Sequence, residues 1–564
     1  MVKLKNVQKL SIIPILVVII ITIICLAPFV TKAFHIDDTL FIWAAHHIHA
    51  HPIDFYGFTA NWYGTEMPMY LINKNPPLVS YYIAIVALLF GWSEVVLHLA
   101  FLIPAVGLSL GIYYFARSLC PRPQMAALIA VLTPVFLVSS TNIMSDTMML
   151  AFYVWAAALW LRGLEKDSSS YLFFAAVFIA LSALTKYFGM TLIPLLLVYS
   201  LVVKRRLGRW VLFLAIPVLI LAGYQWLTYT LYGRGLLLDA ASYAIVIGQA
   251  GGAQFLTKTL TGLAFTGGCL AVVAFYAPLL WSRRIWVVGG VLLALSIATL
   301  LVMGTVGTLC LRNADGIQWG LVIQFGLFIV AGVHILALAV ADLWKHRDAS
   351  SLMLFLWILG TFLFASFVNW TVNARTIFPM IPVAGILVMR RFDLRAKVRQ
   401  LPSGWCLVLP LIPAACIALS VTWADYSLAV CQRSAARMIH TRFHNYPHTL
   451  WFQGHWGFQY YMEALGGKVL DFNNSVLRKG DIIVIPLNNS NIKQLPRDKF
   501  RFVGKEQLMT SCRWIGTMQG SIGSGFYADV WGPLPFAIGT VPPEKYLFFM
   551  AGNFDRERHT SPDR

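Results

Sequence analysis

Long apolar runs separated by short basic loops fill the first 424 residues, and such a pattern admits few folds. A run of about 20 apolar residues crosses a bilayer as one helix, because the membrane interior offers no water to satisfy an irregular backbone. The basic residues cluster between the runs: Lys204, Arg205, Arg206 and Arg209; Arg283 and Arg284; Lys345 and Arg347; Arg390, Arg391, Arg395, Lys397 and Arg399. That placement follows the positive-inside rule. The net charge of +19 is therefore a property of the loops and not a nucleic-acid face, since the aromatics lie within the apolar runs. With 59% hydrophobic and 12% charged residues, the chain has too little polar surface to enclose itself as a soluble globule.

Charge parity orders the helices. Lys3, Lys5 and Lys9 precede an apolar stretch at about 11–30 that lacks a small-residue cleavage site, so it reads as a retained first helix and not as a signal peptide. With the N-terminus inside, residues 31–75 lie outside. The next apolar stretch, 76–91, is short for a span; were it to cross, most later basic clusters would fall outside. It is therefore expected to be interfacial or re-entrant. Twelve further helices follow, at about 95–116, 124–142, 147–163, 171–187, 189–203, 210–231, 261–281, 286–308, 318–342, 351–369, 376–390 and 404–423. The expectation is thus a polytopic α-helical membrane protein of about 13 transmembrane helices, with an outer loop at 232–260. Residues 1–424 form the membrane domain. Residues 425–564 shift to alternating runs such as Ile482-Ile483-Val484-Ile485 between Gly and Asn turns, which predicts a small soluble α/β domain outside. The eight cysteines form no CxxC or metal-finger spacing. Cys431 and Cys512 are the two in the outer domain, where a disulfide could persist; two free buried thiols are the alternative.

Ionisable residues at a membrane are costly, so their placement is informative. On this topology one face collects Asp37, Asp38, Asp54, Glu66, Lys74, Asp146, Lys186 and Arg375. Asp37 and Asp38 directly follow the first helix. A carboxylate there can serve as a general base toward a hydroxyl, or simply cap the helix that begins at Thr39. Lys74, in Asn73-Lys74-Asn75-Pro76-Pro77, stands at a helix start, where it can attract a phosphate or snorkel to head groups. Asp146 suits a helix cap or a ligand contact. Lys186 and Arg375 suit interfacial anchors or phosphate partners. His46, His47, His49 and His51 invite a metal reading, yet no carboxylate stands at a ligating offset on that helix, and a solvated histidine cluster is the better reading.

Together these pieces resemble the GT-C glycosyltransferases of the protein O-mannosyltransferase and aminoarabinose–lipid A transferase type, glycosyltransferase family 39 and its relatives. That group has an acidic pair after the first helix, similar to Asp37-Asp38. A Lys-Pro-Pro-Leu-like stretch is similar to Lys74-Asn75-Pro76-Pro77-Leu78, and an arginine-ended helix to Tyr113–Arg117. An Asp opening the fourth helix resembles Asp146, and a Thr-Lys after the fifth resembles Thr185-Lys186. An Arg-x-x-x-Pro-x-x-Pro stretch resembles Arg375 to Pro382. The pattern departs at Asp38, where Glu is usual, and at Asn75, where Lys is frequent. The resemblance covers roughly residues 10–390.

What the resemblance implies is inverting transfer of a sugar from a polyprenyl-phosphate donor to a hydroxyl of a lipid, glycan or protein, on the outer face of a cell's inner or plasma membrane. Asp37 and Asp38 would be the catalytic carboxylates, with Asp37 as base. Lys74, Lys186 and Arg375 would hold the donor phosphate, and Asp146 and Asn75 the sugar or acceptor. No cofactor is evident, and a part for a divalent metal stays open. The alternatives are a lipid or solute transporter or flippase, which calls for repeats and polar residues at mid-membrane, and a non-catalytic envelope protein binding through its outer domain.

Overall fold

The computed structural model describes residues 12–250, 255–399 and 404–552; Lys3, Lys5 and Lys9 lie outside the described residues. The chain is a polytopic helical membrane protein followed by a mixed-sheet domain. Nine of its described helices are long and apolar enough to cross a membrane, and two bent pairs raise the number to eleven. The helix expected at 124–142 is one such pair, Pro123–Val131 and Pro134–Ser140, bent by 66°. Pro134 cannot continue the first piece, and Thr133 Oγ1 caps the second by accepting from Phe136 N at 3.2 Å. The other is Phe255–Cys269 with Val272–Leu280, bent by 85°. The remaining two expected helices are Ser169–Thr185, of 17 residues, and Ile381–Arg399, whose second half carries Arg390, Arg391, Asp393 and Arg395. Each of the thirteen expected helices thus has a helical counterpart.

The stretch 76–91 contains the 13-residue helix Leu78–Phe90, about 20 Å long and short of the roughly 30 Å hydrocarbon core. It packs beside helix Asp38–Ala50, with Tyr81 Oη donating to Pro52 O at 2.5 Å, and exposes Ile85, Leu88, Leu89 and Phe90. The outer loop expected at 232–260 is corrected: Leu236–Ala250 is a helix. Its first turn is satisfied from the preceding helix, where Thr228 Oγ1 accepts from Leu236 N and Gln225 Oε1 from Leu237 N and Leu238 N.

Ion pairs tie together the loops that parity places inside: Arg390 with Asp342 at 2.8 Å, Lys204 with Asp167 at 3.2 Å, and Arg122 with Asp393. The last membrane helix does not stop at the expected end of the membrane domain. Leu411–Phe443 runs 33 residues, about 50 Å, well beyond a bilayer core. Its far end packs under a five-stranded sheet together with helix Trp456–Ala464. The strands, in spatial order, are Phe500–Leu508, Glu544–Ala551, Ile482–Pro486, Leu450–Phe452 and Lys468–Val469, the last three parallel to one another. Ile482 and Val484 face the helices while Ile483 and Ile485 pack with Leu470 on the other face, as a period of two requires. Cys431 and Cys512 are free buried thiols, so the disulfide alternative is not realised.

The candidate active site

Asp37 ends the turn between the first helix and Asp38–Ala50. Ile36, immediately before it, is buried with φ at +46°, a left-handed conformation that a β-branched side chain adopts only at a cost. The turn is pinned on both sides: Asp38 N donates to His35 O at 3.0 Å, and Asp38 Oδ2 accepts from His35 N at 2.8 Å. Asp38 Oδ1 accepts from Ile143 N at 2.8 Å. With no exposed surface and both oxygens engaged by backbone, Asp38 braces the turn against the 139–144 segment. Burial pushes its carboxyl up to about 7, against the opposing pull of Lys32 and of the two N–H donors.

The two acidic neighbours therefore do different things. The Asp37 side chain makes no capping bond to the helix it precedes. It pairs instead with Arg375, whose Nη1 lies 2.5 Å from Asp37 Oδ2. Arg375 Nε donates to Asp146 Oδ2 at 2.7 Å, and Lys186 Nζ donates to Asp146 Oδ1 at 2.5 Å. Four residues separated by up to 338 positions thus form one row of alternating charge, Asp37–Arg375–Asp146–Lys186. Asp37 is the most open, its side chain 31% exposed against 10% for Arg375 and 2% for Asp146.

Each member is held by its own element. Asp146 sits in the first turn of Ser145–Lys166, and Lys186 in the extended residue between Thr185 and Tyr187. Arg375 lies on the short helix Ala374–Ile377, whose start is capped by Asn373 Oδ1 accepting from Thr376 N at 2.9 Å. The residues ahead of that helix are gripped by the C-terminal domain: Ala374 N donates to Phe526 O, Asp529 N donates to Val372 O, and Thr371 bonds the Asp529 carboxylate.

Two expected site residues stand outside the row. Lys74 Nζ is paired with Asp239 Oδ2 at 2.5 Å and lies over the Tyr243 ring, both on the helix that replaces the expected loop. Asn75 donates its backbone and side-chain N–H groups to Asn73 Oδ1 and accepts from Tyr56 Oη on its carbonyl, so its described bonds are local. No group of three or more His, Cys, Asp or Glu among the described residues could hold a metal ion, the histidines of 46–51 included.

The sequence reading missed a second, fully buried cluster behind Asp38. Lys32 Nζ, without exposed surface, donates to Asp425 Oδ2 at 2.6 Å and to Asn142 Oδ1 at 2.5 Å. Tyr527 Oη donates to Asp425 Oδ2 at 2.9 Å and accepts from Asn142 Nδ2 at 2.7 Å, and Thr517 Oγ1 donates to Asp425 Oδ1. The available signal was a charge of opposite sign just beyond each of two apolar runs, Lys32 after the first and Asp425 after the last.

Residues 74–229 match the family model for dolichyl-phosphate-mannose-protein mannosyltransferase. No curated protein matches the chain in sequence. Among solved structures, ArnT from Cupriavidus metallidurans bound to undecaprenyl phosphate is 13% identical with a TM-score of 0.49, over 84% of this chain and 93% of that one. The archaeal oligosaccharyltransferase AglB from Archaeoglobus fulgidus, in complex with an inhibitory peptide and a dolichol-phosphate, is 15% identical with a TM-score of 0.47 over 81% of this chain. This chain spans 64% of that enzyme's length. The arabinofuranosyltransferase AftD from Mycobacteria is 12% identical with a TM-score of 0.41, over 97% of this chain and 40% of that one.

Proposed function

We propose, for a chain that carries the dolichyl-phosphate-mannose-protein mannosyltransferase pattern over residues 74–229, that it is a membrane glycosyltransferase moving a sugar from a polyprenyl-phosphate donor to a hydroxyl acceptor at the outer face of the membrane, with inversion. The observation that carries this reading is the ion-paired row itself: an open carboxylate, Asp37, fixed next to two cations, Arg375 and Lys186, that share the buried Asp146. An acceptor O–H approaching Asp37 gives up its proton to the carboxylate as its oxygen bonds the anomeric carbon. The bond from that carbon to the phosphate oxygen breaks with its electron pair. Arg375 and Lys186 stabilise the phosphate charge that develops. A lipid phosphate leaves without being protonated, so one base suffices, and a single displacement inverts the anomeric centre.

In this reading Asp146 orients the two cations and Asp38 positions the turn, neither touching sugar. Lys74 meets phosphate only after parting from Asp239. The outer domain is extracytoplasmic and forms a unit with the end of the long helix. The test is transfer by purified full-length protein in lipid nanodiscs from synthetic polyprenyl-phosphate hexose and pentose donors, with the product anomer read by NMR. The expected result is donor-dependent glycoside of inverted configuration with release of polyprenyl phosphate. Retained configuration contradicts the single displacement; donor movement across the bilayer without glycoside formation supports a flippase instead.

A further inference from the structure

The helix that begins beside Asp37 ends in a large open cleft of about 1140 Å³, which the row of charges does not use. Trp43 and His47 line it from helix Asp38–Ala50 and His51 from the residue after that helix, and the five-stranded sheet contributes Trp451 and Lys468. Both indoles are set in place by second groups. Trp43 meets the edge of Trp62 at a centroid distance of 6.0 Å, and Trp451 Nε1 donates to Asp481 Oδ2 at 3.0 Å. Two rigid aromatic bodies thus stand on walls contributed by the two halves of the protein.

Acceptor groups stand among the donors of the lining. Glu463 accepts from Gln459 Nε2 on Oε1 at 2.8 Å, and Glu66 accepts from Thr59 Oγ1 on Oε1 at 2.5 Å. Asn61, 6% exposed, donates to Leu470 O while its Oδ1 has no hydrogen-bond partner. Four carboxylates, Glu66, Glu463, Asp471 and Asp481, line the cleft against two permanent cations, Lys468 and Arg478. A phosphorylated or acyl-chain ligand has neither the charge nor the apolar lining it needs here. A polyhydroxylated ring has both of its needs met, apolar faces for the indoles and O–H donors for carboxylate and amide oxygens. The two-residue edge strand Lys468–Val469 is too short to recruit a peptide by strand addition.

We propose that this cleft binds a neutral saccharide, the glycan portion of the acceptor, about 15 Å along helix Asp38–Ala50 from the reacting hydroxyl at Asp37. The inference rests on the glycosyltransferase reading for the word acceptor, and its binding step can be measured without transfer. Full-length protein in nanodiscs is titrated with linear tetrasaccharides of mannose and of glucose and with their 6-phosphorylated counterparts, read by saturation-transfer NMR. At least one neutral tetrasaccharide should bind saturably, with its phosphorylated form at least tenfold weaker. Trp451→Ala and the isosteric Glu463→Gln should each weaken binding about tenfold. No saturable neutral binding, equal binding of the phosphorylated forms, or full binding by a correctly folded Glu463→Gln together with Trp451→Ala overturns the proposal. Transfer activity in a protein that binds no tetrasaccharide removes the cleft and leaves the glycosyltransferase reading; saccharide binding without transfer from any polyprenyl-phosphate donor does the reverse.

Discussion

At the scale of single residues, two adjacent aspartates are separated by what surrounds them. Asp37 keeps a third of its side chain in contact with solvent and faces Arg375; Asp38 has none and serves two backbone N–H groups. Asp38→Asn keeps one acceptor oxygen but points an NH2 at the other N–H donor. Losing one buried hydrogen bond and leaving its donor unsatisfied costs about 1–3 kcal/mol. The thermal midpoint of that variant should fall, with transfer reduced less than by a change at Asp37; an unchanged midpoint contradicts the bracing role. The sequence placed Asp37, Asp146, Lys186 and Arg375 on one face through charge parity and the family resemblance. The resemblance made Asp37 the base, but the sequence could not show that Asp38 is buried against two backbone N–H groups, because a one-residue step along an irregular turn reverses a side chain's direction, and that turn depends on the left-handed Ile36.

At the scale of elements, the C-terminal domain is built into the candidate site. Gly457, in the first turn of helix Trp456–Ala464, lies so near the loop before Asp37 that a Cβ would meet Phe34 O at 2.0 Å. Phe526 and Asp529 hold the strand of chain leading to Arg375, and Tyr527 between them joins Asn142 to Asp425. Tyr527→Phe removes one hydroxyl from the Lys32–Asp425 cluster without a change of shape. Destabilisation of about 1–3 kcal/mol is expected, together with lower transfer activity in the folded fraction. Unaltered stability and activity would mean that the cluster is idle.

The same domain contains Glu544, which burial pushes up to about 7 although Asn488 and Gln519 donate to it. An acid raised in the fold contributes stability that is full below its unfolded value near 4.5 and is lost as pH rises through about 7. The difference corresponds to about 3 kcal/mol. Thermal unfolding of the wild type should therefore weaken from pH 5 to pH 8, and Glu544→Gln should flatten that slope. Equal slopes would contradict the assignment. None of these long-range contacts has a local signature: helix Leu236–Ala250 reads as a loop because Asp239 and Ser242 interrupt its apolar run, and its partner Lys74 is 165 positions away.

At the scale of the whole molecule, hydropathy and loop charge carried most of the architecture. The thirteen helical segments, the short apolar helix Leu78–Phe90 and the sheet domain follow from run length and composition; of the two bends, only the one at Pro134 has a local signal. Charge parity assigns the ion pairs of Arg122, Lys204 and Arg390 to one face and the row at Asp37 to the other. Reporter fusions after residue 400 and at the C-terminal end should therefore report opposite compartments, and a shared compartment refutes the topology. The most direct test of the whole account is sugar transfer by Asp37→Asn in the purified full-length protein. Asparagine preserves size and the fit to Arg375's neighbours but cannot take the acceptor's proton, so transfer should fall by about 10²-fold or more with folding intact. Transfer at the wild-type rate from a polyprenyl-phosphate donor would contradict the assignment of Asp37 as base.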